Sequence, residues 1–245
     1  MLGHNTLSLL ALLLLGAAQR GEAALTQAQI TQITDEHNKC RSGVSPTAAN
    51  MRKMVYNAPL ADLAQSYAEK CIYAHNPANG GNGENICATT NANLDVAACV
   101  QQWCNEKQDY NLETRACTPP GDGTCGHYTQ VVWAPTNLTG CATHVCESLP
   151  GFSSTRATIM VCYYSPAGNV GDQKPYVAGT PCSSCSPNTC SSNLCASDAT
   201  TTTTTTTTTV TTTVAAGGSG APGIKSGPVT LFTTFLLAGL PLLAF

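Results

Sequence analysis

Fourteen cysteines constrain the fold of this 245-residue chain more than any other feature of its sequence. Reductants keep thiols free in the cytosol, whereas an oxidising compartment pairs them, so this even and dense set predicts a secreted, disulfide-bonded protein. A cluster of thiolates around a metal is the alternative, which a secreted chain disfavours. Fourteen cysteines fit seven bridges, but spacing alone does not select their pairing.

The first 24 residues have the pattern of a signal peptide. Residues 7–18 form an apolar run of about the length of a signal-peptide core, followed by small residues, with cleavage expected after Ala18 or Ala23. The usual basic start is missing. The run is too short for a membrane span, which needs about 20 residues. A buried helix is the alternative, and the cysteine content argues against it.

The C-terminal part of the chain carries two further non-globular patterns. Residues 196–216 are rich in threonine and are expected to form an extended, O-glycosylated stalk. Residues 217–245 combine small residues, a short spacer and an apolar end, which together indicate a GPI-anchor signal attached at Gly218 or Ser219. A spanning helix is the alternative, although the apolar end is short and no basic residue follows it. The mature protein is therefore expected at the cell surface, from which it can be shed.

Between these ends, helix signals come first and strand signals follow. Three helix starts are predicted, with Thr26, Asn57 and Asp95 as caps. The second helix carries an apolar stripe from Leu60 to Cys71 that includes Leu63. Short strands are predicted over residues 127–133, 142–146 and 158–164. This order favours an α+β fold, with helices packed on an antiparallel sheet.

Two smaller patterns complete the folded part. Residues 171–195 contain four cysteines, several prolines and few apolar side chains, so cross-links are expected to hold this segment beside the main domain, residues 25–170. The sequon Asn137-Leu138-Thr139 predicts N-glycosylation of Asn137 in a surface loop.

Several short segments stand in a fixed order: HNKCR at 37–41, GENI at 83–86, GHYTQVVW at 126–133 and YYSPAGN at 163–169. Together they resemble the CAP superfamily of cysteine-rich secretory, antigen 5 and pathogenesis-related 1 proteins. The resemblance extends from about residue 30 to residue 195. It includes residues 171–195, which resemble a cysteine-rich segment that this family calls the hinge. It implies a disulfide-rich, three-layer α-β-α sandwich with a central antiparallel sheet. The family's longer members continue into a second cysteine-rich module that regulates ion channels. In this chain the threonine-rich residues follow Cys195 instead, so channel regulation is not implied.

The resemblance also implies four disulfide bonds. These are Cys71–Cys146, Cys141–Cys162, Cys182–Cys190 and Cys185–Cys195. Six cysteines remain, with fifteen possible connectivities: Cys40, Cys87, Cys99, Cys104, Cys117 and Cys125.

A two-histidine, two-glutamate cleft is implied at His75, Glu84, Glu106 and His127. From the sequence, His75 is placed at or beyond the end of the second helix, Glu106 on the third helix, Glu84 in a loop and His127 at the start of a strand. His75 and His127 are the candidate ligands of a weakly bound divalent metal, zinc or magnesium, with the carboxylates acting through water. No cofactor is required. The alternatives are a polar network that joins helices to sheet, and catalysis. His37 is interpreted as structural.

Three function classes follow from these observations. Binding of a sterol or fatty acid ranks first, because some relatives bind such lipids and the cleft has no evident nucleophile: neither G-x-S-x-G nor H-E-x-x-H is present. Recognition of an extracellular protein partner is the second class, and a metal-dependent hydrolase is the third. The protein is therefore not expected to be an enzyme. A net charge of −3 disfavours nucleic acid as a partner.

Overall fold

The computed structural model describes residues 24–91, 93–118, 125–150, 156–185 and 189–196. All of them belong to the first of two units, Met1–Thr200, and the second unit is Thr201–Phe245. The predicted signal peptide, stalk and anchor signal lie outside the described residues, apart from Ala24 and Ala196 at their edges. Among the described residues, no helix has both the length and the apolarity needed to cross a membrane.

The described part of the chain contains four helices, a 3₁₀ turn and six strands. The helices are α1 (Gln27–Ser42), α2 (Ala58–Ala68), α3 (Val96–Asn105) and α4 (Gly126–Val131), and a 3₁₀ turn (Glu106–Gln108) follows α3. The strands are β1 (Val55–Tyr56), β2 (Gly83–Thr89), β3 (Leu138–Cys146), β4 (Ala157–Ser165), β5 (Thr189–Ser191) and β6 (Leu194–Ala196).

All three predicted helix caps are confirmed. Thr26 and Gln29 form a reciprocal capping box at the start of α1. The Asn57 side chain accepts a hydrogen bond of 3.0 Å from the Leu60 amide at the start of α2. The Asp95 carboxylate accepts bonds from the first amides of α3 at 3.0 and 3.1 Å. These short polar side chains satisfy amides that have no partner inside the helix.

A four-stranded sheet in the order β1-β3-β4-β2 forms the middle of the molecule. The edge strand β1 runs parallel to β3, and the β3–β4 and β4–β2 pairs are antiparallel. The register places Cys141 opposite Cys162 and Glu84 opposite Tyr163. The predicted strands over 142–146 and 158–164 are thus confirmed, within longer elements.

Strand β4 shows why the molecule has three layers. Successive side chains of a strand point to opposite faces of its sheet, and both faces of β4 are buried. One set belongs to the core formed with α1, α3 and α4: Met160, Cys162 and Tyr164. The other set belongs to the core formed with α2: Ile159, Val161 and Tyr163. The expected α-β-α sandwich is confirmed.

Helix α2 lies unusually close to the sheet at Gly140. A Cβ atom on this residue would lie 2.2 Å from the amide nitrogen of Ala61 and 2.5 Å from the Asn57 carbonyl oxygen. Because these are backbone atoms that a side-chain rotation cannot move, only glycine allows this approach.

Three local predictions are wrong. Residues 127–133 do not form a strand, since α4 takes up Gly126–Val131 and a turn follows it. Glu84, which was expected in a loop, lies in the strand β2. The second helix ends at Ala68, so Cys71 lies beyond it with a φ of 53°, and Leu63 of the predicted stripe is 50% exposed. In the first two cases contacts with neighbouring elements outweigh local propensity.

The cysteines form seven bridges, and none of them is free. Four are the pairs that the resemblance implied: Cys71–Cys146, Cys141–Cys162, Cys182–Cys190 and Cys185–Cys195. The other three are Cys40–Cys104, Cys87–Cys99 and Cys117–Cys125. The first of these joins α1 to α3, so the helical layer is cross-linked within itself.

The sequon lies at the start of a central strand. Asn137 is half-buried in the irregular residues just before β3, and its carbonyl accepts a 2.8 Å bond from the Val55 amide. Thr139 is fully buried. The surface-loop interpretation therefore fits Asn137 only in part and does not fit Thr139, whereas glycosylation of Asn137 stays a prediction.

Candidate functional site

The first half of the candidate site is a pair formed by His75 and Glu84. The His75 Nδ1 atom lies 2.6 Å from Glu84 Oε1, and the Asn76 amide donates to the same carboxylate at 3.1 Å. The Glu84 side chain is 3% exposed, whereas that of His75 is 72% exposed. Glu84 thus fastens the segment after α2 to the edge strand β2, and it leaves the histidine ring at the surface.

The second half is built the same way from Glu106 and His127. His127 Nδ1 lies 2.6 Å from Glu106 Oε1, while Glu106 Oε2 accepts a 2.9 Å bond from the Tyr128 amide. Glu106 caps the end of α3, so this carboxylate ties α3 to the first turn of α4. The buried Trp103 ring stacks on the His127 ring at 6.0 Å between centroids, which fixes the orientation of the imidazole.

Both histidines face one shallow depression. Its volume is about 190 Å³, and it is lined by Tyr73, Ala74, His75, Ile86 and His127. Since each ring engages its carboxylate through Nδ1, its Nε2 is the nitrogen left for a ligand. The depression therefore presents two imidazoles, and a carboxylate hydrogen-bonded to Nδ1 fixes the orientation of each ring.

The predicted cleft residues thus come together, although several of their local positions differ from the predictions. Glu84 lies on strand β2 instead of a loop, and His127 lies in helix α4 instead of a strand. His75 is seven residues past Ala68, the last residue of α2, so the end of that helix does not act on it. Glu106 is the residue that ends α3 and begins the 3₁₀ turn. The polar network expected here exists as two separate pairs.

The donor set fits a metal ion only loosely. Among the described residues, no three of the four cleft side chains bring ligand atoms within 4.8 Å of one another. Glu84 and Glu106 are already engaged by imidazole and backbone donors. Two imidazole nitrogens remain, which is fewer than the three or four protein ligands of most zinc sites.

A buried chain of hydrogen bonds connects the site to α1. Asn85 Nδ2 donates to the His127 carbonyl at 3.2 Å and lies 3.3 Å from the Tyr164 hydroxyl. That hydroxyl lies 2.8 Å from His37 Nε2, and His37 Nδ1 lies 2.7 Å from the Ile33 carbonyl. Burial lowers the pKa of His37 to about 4, so this imidazole is neutral at physiological pH. His37 therefore has the structural role expected of it.

Sequence reasoning missed some of the residues that shape the site. Tyr163 lies opposite Glu84 on β4, and burial, with the nearby Glu84 carboxylate, raises the pKa of Tyr163 to about 12. Asn76 donates to the Tyr163 hydroxyl at 2.8 Å as well as to Glu84. Asn76 could have been proposed from the sequence because it is adjacent to His75. Tyr163 could not, because its position opposite Glu84 depends on the pairing of β2 with β4 in the folded sheet.

The depression has limited means for covalent chemistry. None of the five residues that line it is a serine, threonine or cysteine. Its polar atoms are those of two imidazoles and one phenol, so it can bind a cation or a hydrogen-bonding group.

Comparison with known proteins gives consistent matches. Residues 34–164 match the CAP family, described as the cysteine-rich secretory protein family. The chain is 44% identical over 187 residues to peptidase inhibitor 16 of Bos taurus, which covers 74% of this chain and 40% of that protein. This chain therefore spans about two fifths of that relative's length.

Solved structures agree with the sequence match. The crystal structure of Na-ASP-1 has a TM-score of 0.59 and 30% identity, covering 71% of this chain and 48% of that one. The structure of NaASP2 with Zn²⁺ has a TM-score of 0.54 and 28% identity, covering 71% of this chain and 98% of that one. The family match spans more than half of the chain and agrees with the three-layer fold and seven bridges of a secretory protein. This chain belongs to the cysteine-rich secretory protein (CAP) family.

Proposed function

We propose that this protein is an extracellular, non-catalytic binding module whose ligand is a sterol or a similar apolar lipid. The observation that carries the proposal is a pair of adjoining cavities on the α1 and α3 side of the sheet. Their volumes are about 340 and 260 Å³, and they share Cys40, Gly43 and Lys107 in their linings. Together they fall in the range of about 300–1,000 Å³ that is typical of small-molecule sites.

The two cavities differ in chemistry. The larger one is lined by polar side chains of α1 and the end of α3, including Glu36, Gln101 and Asn105. The smaller one combines the polar side chains of Ser45 and Lys107 with apolar and aromatic groups: Val44, Tyr110, Leu112, Tyr128 and Tyr176. A concavity in which apolar and aromatic groups lie beside polar ones suits a ligand with a rigid apolar body and a polar end.

This surface is separate from the His–Glu depression. The residues that line the two cavities and those that line the depression have no member in common. Lipid binding and the chemistry of His75 and His127 should therefore be independent properties of the same domain.

A tryptophan at the mouth of the larger cavity tests the assignment. Asn105 is exposed at the end of α3, and Asn105→Trp is expected to weaken saturable binding of a labelled sterol about tenfold or more by filling the cavity, since tenfold corresponds to about 1.4 kcal/mol. The matched control is Asp62→Trp, which adds the same ring to an exposed position of α2 on the other side of the sheet. His127→Ala should leave sterol affinity unchanged.

Other outcomes would redirect the proposal. Absence of saturable binding for sterols and fatty acids would favour pure protein recognition. Equal loss with Asn105→Trp and Asp62→Trp would refute the assigned cavity. Lys107 is exposed between the two cavities, so Lys107→Glu should weaken binding of a fatty acid carboxylate and spare an uncharged sterol.

A weak divalent-metal site at His75 and His127 is a second proposed property. The shared depression and the two carboxylate-oriented rings support it, and the NaASP2 structure is a family structure with Zn²⁺. Zinc titrated into chelated protein should bind reversibly and dissociate on acidification, since only neutral imidazole is a ligand.

Substitution of Glu106 tests whether the carboxylate tunes this site. Glu106→Gln should weaken zinc binding about tenfold or more, because carboxylates behind metal-bound histidines raise their basicity. Glu69→Gln, at an exposed position, is the matched control. Zinc affinity that persists after both histidines become alanine would rule the site out.

Recognition of a protein remains the alternative to lipid binding. The related bovine protein is named a peptidase inhibitor, so a peptidase is the first partner to assay, with the full chain as the inhibitor. A hydrolase would instead show turnover that is lost on His127→Ala. The depression supplies no serine, threonine or cysteine to form a covalent intermediate, so catalysis ranks last.

Attachment to the cell surface through a GPI anchor at Gly218 or Ser219 is also proposed. The support is the sequence order of small residues, spacer and apolar end. Phosphatidylinositol-specific phospholipase C should release the protein from cells, and the released chain should lack Phe245. Retention of the protein on cells from which the enzyme releases a known anchored marker, with Phe245 still detected by mass spectrometry, would contradict the anchor.

A further inference from the structure

The hinge brings two disulfide bonds into contact. Its bridges are Cys182–Cys190 and Cys185–Cys195. The sulfur atoms of Cys182, Cys185 and Cys195 all lie within 4.8 Å of one another, and the fourth sulfur is bonded to Cys182. A thiolate released at Cys182 would therefore have the neighbouring disulfide within reach.

One alternative pair already has suitable backbone geometry in the turn at 182–185. The Cys185 amide donates to the Cys182 carbonyl at 3.1 Å, which closes a four-residue turn. Turns of this kind bring their end Cα atoms within about 7 Å, and disulfides span Cα distances of about 4.4–6.8 Å. The Cys-x-x-Cys spacing is one at which thiols have lowered pKa values.

The other alternative pair lies across the β5–β6 hairpin. Cys190 and Cys195 are direct partners in its register. The Cys195 amide and carbonyl instead bond to Met51 and Lys53, at 2.7 and 2.9 Å. Cys190 and Cys195 therefore form a non-hydrogen-bonded pair of the antiparallel hairpin. The Cα atoms of such a pair lie about 4.5 Å apart. A direct disulfide fits this separation.

We propose that the Cys182–Cys190 bridge is a thiol-exchange site, at which a low-molecular-weight thiol converts the hinge to the pairing Cys182–Cys185 and Cys190–Cys195. The incoming thiolate attacks Sγ of the exposed Cys190, which forms a mixed disulfide there and releases the Cys182 thiolate. Cys182 then attacks Cys185 Sγ and releases the Cys195 thiolate. Cys195 attacks the mixed disulfide at Cys190 and returns the small thiolate, so the hinge undergoes no net oxidation or reduction.

The exchange needs little movement of the backbone, because each half of the hinge is held separately. Ser184 donates to the Ala49 carbonyl at 2.9 Å, and Gly179 donates to the Thr47 carbonyl at 2.8 Å. The hairpin is held by the two bonds of Cys195 described above and by Leu194, which is 2% exposed. After exchange, the turn and the hairpin are each closed on themselves, so no disulfide joins them. The hairpin then depends on non-covalent contacts to stay on the domain.

Peptide mapping of the unmodified protein tests the proposal. The full chain is incubated with reduced and oxidised glutathione near pH 8, quenched in acid, alkylated and cut by an acid-active post-proline peptidase, which cleaves after Pro181 and Pro187. In the original pairing the peptide 182–187 stays linked to the peptide containing Cys190 and Cys195. Exchange releases 182–187 as a free peptide with an internal disulfide. We expect this peptide after glutathione treatment and not after incubation with an alkylating agent alone.

The Cys117–Cys125 bridge is the internal control. It spans eight residues, as Cys182–Cys190 does, and among the described residues it belongs to no group of three potential ligand atoms within 4.8 Å. It should keep its pairing. If peptide 182–187 stays linked to the downstream peptide, the proposal is wrong, whether or not Cys190 has taken up glutathione.

A single substitution gives a second, independent test. In Cys195→Ser, Cys185 loses its partner and its thiol can attack Cys182, so the free thiol is expected to move to Cys190 without any added thiol. Labelling in acid-quenched denaturant should find Cys190 modified in most molecules. In the matched variant Cys125→Ser, the free thiol should stay at Cys117. Label found at Cys185 in Cys195→Ser would overturn the proposal.

Discussion

Replacement of Arg41 by methionine is expected to lower the free energy of unfolding by about 3–5 kcal/mol, the range seen when a buried charged group loses its partner or leaves one behind. Arg41 is fully buried in α1. Its guanidinium donates to the carbonyls of five residues, one just before β1 and four at the end of α4 or shortly after it: Arg52, Val131, Trp133, Ala134 and Thr136.

The size of the effect follows from what methionine leaves behind. Each buried carbonyl without a donor costs about 1–3 kcal/mol. The Trp133 and Ala134 carbonyls keep a backbone donor, from the Thr136 and Arg52 amides, so the loss falls mainly on the other three carbonyls. Burial lowers the pKa of Arg41 to about 9, with the charge of Arg52 adding to the effect, so the group remains charged at pH 7. Its charge is balanced by carbonyl dipoles instead of a carboxylate. Arg41→Lys should therefore recover only a minor part of the loss, because one ammonium cannot reach five acceptors.

Chemical denaturation with the disulfides intact measures this prediction. Arg52→Met is the matched control, because the Arg52 side chain makes one exposed bond of 3.3 Å, to the Pro135 carbonyl, and its removal should change stability by less than about 1 kcal/mol. Equal destabilisation by Arg41→Met and Arg52→Met would show that the network of five carbonyls contributes little.

Local sequence signals predicted the elements that are stabilised locally. Thr26, Asn57 and Asp95 are each followed by an apolar pattern of helical period, and the caps act on amides two or three residues away, so sequence neighbours contain the whole interaction. Strand β4 was predictable for the same reason, because its β-branched and aromatic residues favour a strand, and both of its faces are covered.

The segment 126–133 shows where this reasoning fails. Its β-branched residues favour a strand, yet Val131 and Val132 are fully buried, and Tyr128 and Trp133 nearly so, in a short helix and turn whose carbonyls bind Arg41. The partner lies some ninety residues earlier in the chain. The same limit applies to the candidate site. The resemblance named its four residues, but the pairing of each histidine with one carboxylate depends on which strand and which helix end meet in the folded molecule.

Acidification should destabilise the protein through His37. Its Nδ1 atom lies 2.7 Å from the Ile33 carbonyl, which can only accept, so Nδ1 carries the hydrogen and Nε2 accepts from the Tyr164 hydroxyl at 2.8 Å. A proton on Nε2 would remove this acceptor and place a charge in the core near Arg41. Burial is accordingly the main cause that lowers the pKa of His37 to about 4, and the Arg41 charge adds to it.

The direction of the pH dependence follows from proton uptake on unfolding. An unfolded histidine binds a proton below a pKa of about 6.5, whereas folded His37 stays neutral down to about pH 4. The contribution of neutral His37 is therefore fully present above pH 6.5 and is lost as the pH falls toward 4. A depression of this size corresponds to roughly 3 kcal/mol of stability. Unfolding free energies measured at intervals between pH 7 and pH 4 should fall by about this amount.

A histidine substitution separates this contribution from that of the carboxylates, which also titrate at acidic pH. His37→Gln should be less stable at pH 7, because it repacks a buried site, but its stability should fall less steeply between pH 6.5 and pH 4 than that of the unsubstituted protein. His75→Gln is the matched control, since the His75 side chain is 72% exposed and its substitution shows how far the loss of a surface imidazole changes the slope. Parallel curves for the unsubstituted protein and His37→Gln would mean that the buried imidazole does not control acid stability. A flatter curve for His37→Gln would show that the hydrogen-bond chain from Ile33 to Tyr164 requires the neutral ring.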